Sequence, residues 1–179
     1  MITHVMKKGI ALLIITTALT IITTGKVTNA EARSLSVMSF KDVTRDRELA
    51  CLAEAIYHES RDQGTEGMIA VGKVVMNRVR AGYGKGTCEV VRQKDKGVCQ
   101  FSYYCMSAKY KKIRDLDSWE KAKAIANGIY FGFYKDPTGG ALFFHAKSVR
   151  PTWRKSMQKT VTIDDHIFYV KKVSHVRTR

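Results

Sequence analysis

The stretch Cys51–Val79, CLAEAIYHESRDQGTEGMIAVGKVVMNRV, decides the fold of this 179-residue chain. Leu49, Leu52, Ala53 and Ile56 recur at i, i+3, i+4 and i+7, the spacing that lines one face of an α-helix. The pattern ends in a polar patch from His58 to Gln63, and Gly64 can close the helix as its C-cap. A second helix is expected from Thr65 to Arg80, where Met68, Ile69, Val71, Val74, Val75 and Val79 are apolar on nearly every side. A helix of that kind is buried in a core. One carboxylate, Glu59, thus falls at the end of one core helix and against the start of another.

That is a rigid place for a catalytic acid, although spacing alone does not separate Glu59 from a solvated glutamate at a helix end. His58-Glu59 begins like the metalloprotease pattern H-E-x-x-H, yet Asp62 stands where the second histidine is needed, and no other His-x-x-x-His occurs. A metal site is therefore not expected, and no other motif asks for a cofactor.

Beyond Val79 the chain reads as support. Gly82, Gly84, Gly86 and Gly97 mark a loop with one short helix at Cys88–Gln93. Gln100-Phe101-Ser102-Tyr103-Tyr104 sets aromatic rings beside amide and hydroxyl groups, a composition that suits a sugar and equally suits core filling. Asp117 and Glu120 form a capping box for a helix reaching Phe133 and stopping before Asp136-Pro137. Ala141–His145 reads as a strand, and Ile163 and Ile167–Val170 as two arms of a hairpin joined by Asp164-Asp165-His166. His145, Trp153 and His166 can line a cleft or serve structure. The fold class expected is α+β, a mainly helical lobe with a small antiparallel sheet.

Several of these motifs, taken in order, resemble the SleB-type cell wall hydrolases, the spore-cortex-lytic family. They are Cys51-Leu-Ala-x-Ala-Ile-Tyr-x-Glu59-x-Arg61, Glu66-Gly67, Asn77-Arg78-Val79, Cys88-Glu-Val-Val, Cys99-Gln-Phe-Ser, Asp136-Pro-Thr-Gly-Gly-Ala-Leu-Phe-Phe-His145 and His166-x-Phe-Tyr169. The resemblance covers about Leu49 to Lys171. It implies a lysozyme-like fold and cleavage of peptidoglycan glycan strands, with Glu59 as acid and base. Gln100, Phe101, Ser102, Tyr104 and His145 would hold the sugar. One departure stands out: the family more often has Gly-Glu after the arginine, and this chain has Asp62-Gln63. A single glutamate serving both steps implies a lytic transglycosylase that leaves 1,6-anhydro-muramic ends. If water is the nucleophile instead, Glu66 is the candidate second carboxylate, unless it only stabilises the first turn of its helix. A non-catalytic, basic envelope-binding module would share the charge and the export signal. An amidase ranks last, because it wants a metal or an activated cysteine.

The beginning of the chain sets the compartment. Lys7 and Lys8 precede an uncharged run from Gly9 to Thr24, and small residues at Thr28 and Ala30 offer a cleavage site. That is the pattern of a secretory signal over residues 1–30, with an uncleaved anchor as the alternative. Residues 31–46 read as a linker, 47–171 as the catalytic domain and 172–179 as a basic tail. The net charge of +15 favours polyanions. For an exported chain these are the anionic cell envelope rather than nucleic acid. Nothing in the sequence requires a second subunit. The 4 cysteines, Cys51, Cys88, Cys99 and Cys105, make an even set in an export context and read as two disulfides. Cys88–Cys99 with Cys51–Cys105 is the expected pairing.

Overall fold

The structure, a computed structural model, describes residues 29–172, so the expected export signal and basic tail lie almost wholly outside the described residues. The helices are α1 (Asn29–Ser60), α2 (Thr65–Arg80), α3 (Thr87–Val91), α4 (Ala108–Lys111) and α5 (Leu116–Tyr130). Strands β1 (Lys94–Asp95) and β2 (Val98–Cys99) make a minimal hairpin. Strands β3 (Phe143–Ala146), β4 (Met157–Ile163) and β5 (His166–Lys171) make an antiparallel sheet in the order β3-β5-β4. This is the α+β arrangement that the patterning predicts.

The face of α1 read from its spacing is the buried one: Leu52, Ala53, Ile56 and Tyr57 are enclosed. The helix begins much earlier than that pattern. Residues 31–46, expected to link, are drawn into α1. Once the packed end has nucleated a helix, each further residue adds a hydrogen bond for little cost, so propagation needs no apolar face of its own. Exposed pairing of Arg45 with Asp42 at 2.9 Å assists it. Gly64 does not cap α1; it is extended at φ −62° and ψ 171° and serves instead as the residue before α2.

Helix α2 has the bounds read from the sequence and crosses both α1 and α5 closely. A Cβ on Gly72 would lie 2.5 Å from Ile129 Cδ1 and 2.8 Å from Ile56 Cδ1, so the three helices meet at a residue without a side chain. Around that crossing lie Leu52, Ile56, Met68, Val75, Val90, Phe101, Ile125 and Ile129. Helix α5 is capped by Asp115 rather than Asp117: the Ser118 N–H donates to Asp115 Oδ1 at 3.0 Å. It also ends three residues before Phe133. Gly132 takes a left-handed φ of 83°, which lets Phe133 N donate back to the Gly128 carbonyl at 2.8 Å and closes the helix.

The disulfides differ from the expected pairing. They join Cys51 to Cys88 and Cys99 to Cys105. The reason lies one turn before Cys51. Glu48 Oε2 accepts from Cys88 N at 3.0 Å and from Thr87 Oγ1 at 2.8 Å, which holds the start of α3 against α1 and brings the two sulfurs together. Of the remaining cysteines, Cys99 precedes and Cys105 ends a single 3-10 turn at Ser102–Cys105, and they close on each other.

A second, smaller core joins helix to sheet: Ala70 and Val74 of α2 pack against Ala141, Ile163 and Phe168. Ile163 and Phe168 bracket the β4–β5 turn, so their burial carries Asp164 and Asp165 to the start of α2. Two reciprocal bonds then clasp the turns. Gly64 N donates to Asp164 Oδ2 at 3.0 Å, and Asp165 N donates to Gln63 Oε1 at 2.9 Å. Gln63 is one of the two residues at which the chain departs from the pattern it resembles.

Candidate active site

Between the clasped turns lies a cleft of about 590 Å³. One wall is the end of α1 and the residues after it: His58, Glu59, Arg61, Asp62 and Gln63. The other is Ala146, Lys147 and Ser148 after β3, with Asp165 and His166 at the hairpin.

Glu59 sits one residue before the end of α1, where the helix no longer encloses it but the core still holds its backbone. It is half-buried. The loop closed by Cys99–Cys105 comes over it. Ser102 Oγ donates to Glu59 Oε1 at 3.3 Å, and Tyr103 N reaches the same oxygen at 3.5 Å. Two effects compete on its acidity. Burial raises its pKa above the usual carboxylate value, and the Tyr103 and Ser102 donors pull it part of the way back; burial wins. The result is a carboxyl biased toward its acid form, with donors already aimed at the base form.

The neighbouring residues fix that geometry. His58 stacks on Tyr103 with ring centres 4.7 Å apart and stands edge-on to Tyr57 at 4.9 Å. Burial first, then the positive charge of Arg61, lowers the His58 pKa, which favours its neutral ring. Across the cleft His166 is 7% exposed, and its Nδ1 has no hydrogen-bond partner among the described residues. Burial lowers the His166 pKa against the opposing pull of Asp62, Asp165 and Asp164. That nitrogen is itself enclosed, so His166 contributes to the cleft wall through the remainder of its ring.

The residues expected at the site divide into two groups. Glu59 and Ser102 meet as the sequence suggests. Gln100 and Tyr104 belong to the same disulfide-closed loop; Gln100 is exposed, and Tyr104 has Lys111 Nζ 5.2 Å from its ring. Phe101 is only 2% exposed and packs in the main core, so its ring cannot face a sugar; it anchors the loop from below. His145 is also buried. Its Nε2 bonds the Tyr169 hydroxyl at 3.0 Å and its Nδ1 the Ala146 carbonyl at 2.8 Å, which uses both ring nitrogens within the sheet. Glu66 is exposed on the first turn of α2 and does not line the cleft. The carboxylates that do line it with Glu59 are Asp62 and Asp165, neither of which was singled out for chemistry in the sequence. Acidic residues in a strand–strand turn read as turn formers, and Asp165 lies too far along the chain for spacing to pair it with Glu59. Among the described residues no cluster of ligating side chains could hold a metal ion.

Residues 62–169 match the cell wall hydrolase family, and the chain belongs to that family. It is an enzyme of the cell wall. The matched segment takes in most of the cleft and begins three residues after Glu59. Among solved structures, it is similar to the catalytic domain of the germination-specific lytic transglycosylase SleB from Bacillus anthracis. That match has 25% identity and a TM-score of 0.55, and covers 69% of this chain and 93% of that one. The catalytic domain of the Bacillus cereus SleB protein is similar in fold, with 23% identity, a TM-score of 0.53, and coverage of 70% and 91%. These neighbours agree with the lysozyme-like α+β architecture expected from the sequence. No curated protein matches the chain.

Proposed function

We propose that this enzyme degrades peptidoglycan by cleaving the glycosidic bond between N-acetylmuramic acid and N-acetylglucosamine, as a lytic transglycosylase with Glu59 as its acid and base. The observation that carries the reading is the setting of Glu59: one carboxyl with a raised pKa at the wall of a large cleft, with two donors on one oxygen. Glu59 in its acid form gives its proton to the leaving oxygen as the bond to C1 breaks. The carboxylate then takes the proton of the muramic C6 hydroxyl, whose oxygen closes on C1. No water enters. Burial favours the first state of Glu59, and Ser102 and Tyr103 N stabilise the second, so one side chain can serve both steps.

A second reading has its own observation. Asp62 and Asp165 share the cleft with Glu59 and could activate water, which would make the enzyme a hydrolase; Glu66 is displaced from that role. The product separates the two: anhydro-muramic ends support the transglycosylase, and reducing ends support hydrolysis. In both, Glu59→Gln should abolish cleavage of purified peptidoglycan while leaving the circular dichroism unchanged. Residual activity within about tenfold of wild type would overturn the assignment.

The disulfides support an enzyme that works outside the cytoplasm, where thiols stay oxidised. No described helix is long and apolar enough to cross a membrane.

A further inference from the structure

Beside the cleft lies a second cavity that the chemistry above does not use. It measures about 270 Å³ and is lined by Tyr57, Arg61, Lys109, Tyr110, Lys112, Arg114 and Asp115. Four of these side chains are basic. Lys109, Lys112, Arg114 and Arg61 are all exposed, and among the described residues none of them makes a salt bridge. The one carboxylate, Asp115, is already committed. Its oxygens accept from Ser118 N at 3.0 Å and Ser118 Oγ at 2.6 Å as the cap of α5. The floor is fixed as well: the Tyr57 hydroxyl accepts from Arg114 N and Asp115 N, each at 3.1 Å. Tyr110 stands at the rim, 65% exposed. Unpaired cations around a formed cavity repel one another until an anion enters.

Arg61 joins this cavity to the cleft, because it lines both. Its guanidinium lies 5.3 Å from the centre of the Tyr57 ring, which holds it at the junction. A group bound among the lysines would therefore be carried by the same glycan strand that lies against Glu59, with Arg61 between the two sites.

We infer that this basic cavity is a subsite for the carboxylates of the stem peptide attached to muramic acid, so that the enzyme prefers glycan strands still bearing peptides. The inference rests on the glycan-cleaving reading of the cleft. Stem carboxylates are favoured over wall phosphate because every substituted muramic residue brings them next to its own glycosidic bond. Phosphate polymers are attached at sparse points.

The test is binding of the protein to immobilised peptidoglycan, using the Glu59→Gln background so that binding is read without cleavage. Three immobilised preparations serve: intact sacculi, sacculi freed of phosphate polymers by acid, and glycan strands released from their stem peptides by an amidase. The inference predicts that Lys109→Glu/Lys112→Glu weakens binding to the intact and phosphate-free sacculi at least tenfold, and changes binding to stripped glycan less than twofold. Equal loss on all three would mean a general charge effect and overturn it. Loss confined to phosphate-bearing sacculi would overturn it in favour of wall polymers. No loss on any would show that the cavity is idle. Failure of the glycan-cleaving reading would appear elsewhere, as digestion by the unmodified enzyme that releases neither anhydro-muramic nor reducing glycan ends, and is distinguishable from this binding result.

Discussion

Removing the disulfides one at a time, as Cys51→Ala/Cys88→Ala and Cys99→Ala/Cys105→Ala, should separate stability from catalysis. The first bond spans 37 positions and the second 6; on the chain-entropy relation these restrict the unfolded chain by about 3.8 and about 2.2 kcal/mol. The core adds to the difference. Cys88 and Cys51 are 2% and 7% exposed, so their truncation leaves a small cavity between α1 and α3, whereas Cys105 faces solvent. Activity should follow the opposite order. The shorter bond closes the loop that brings Ser102 Oγ and Tyr103 N to Glu59, and the longer one lies away from the cleft. Urea unfolding followed by circular dichroism under non-reducing conditions gives the stabilities, and loss of turbidity of purified peptidoglycan gives the rates. The expected result is a larger stability loss for the Cys51/Cys88 pair and a larger rate loss, about tenfold or more, for the Cys99/Cys105 pair. If the Cys99/Cys105 variant were the less stable of the two, or lysed the wall within twofold of wild type, the reasoning would fail.

Two further outcomes follow from single residues. Ser102→Ala removes a donor that lowers the Glu59 pKa, so that pKa should climb. An acid with a higher pKa keeps its proton to higher pH, and the alkaline limb of the kcat–pH profile should move upward; an unmoved limb would show that the bond carries no weight. Asp136→Ala should destabilise the fold by about 3 kcal/mol, because the proton of the wholly buried Thr138 hydroxyl and one N–H of the Asn77 amide lose their acceptor, each group keeping only its bond to Ala141. Burial acts to raise the Asp136 pKa, but its bonds from Thr138, Asn77 and Gly140 outweigh that and lower it. Its stabilisation is present above the ordinary carboxylate range and is lost as pH falls through the lowered value. Chemical unfolding from pH 6 down to pH 2 should show the wild type losing that advantage over the variant, and a constant gap would refute it.

What could be read without coordinates was local. The apolar spacing of Leu52, Ala53 and Ile56 and the all-round apolarity of α2 depend on near neighbours, and the structure has both. The early start of α1 could not be read, because propagation leaves no apolar signature. Cysteine pairing was equally hidden: three pairings satisfy four cysteines, and the Glu48 contact with α3 that selects one of them spans 40 residues. At the site, Glu59 was legible through its motif and Ser102 through its company. Phe101 and His145 carried the same aromatic and polar character as ligand-binding residues, and only packing shows them turned inward. Asp165 belongs to the far wall of the cleft, and nothing near Glu59 in the chain announces it; His166, read as a cleft candidate, lies on that same wall.

The clasp between the two turns also says when the enzyme comes into being. Helices α1 and α2 are joined by four residues and can meet almost as soon as they form, whereas Gly64 and Asp164 must find each other across 100 positions. Contacts of that span close late, since the chain must lose the freedom of the whole intervening loop before the bond rewards it. On refolding, helicity is therefore expected to return before lytic activity, and a single shared rate for the two would show that the clasp closes together with the helices.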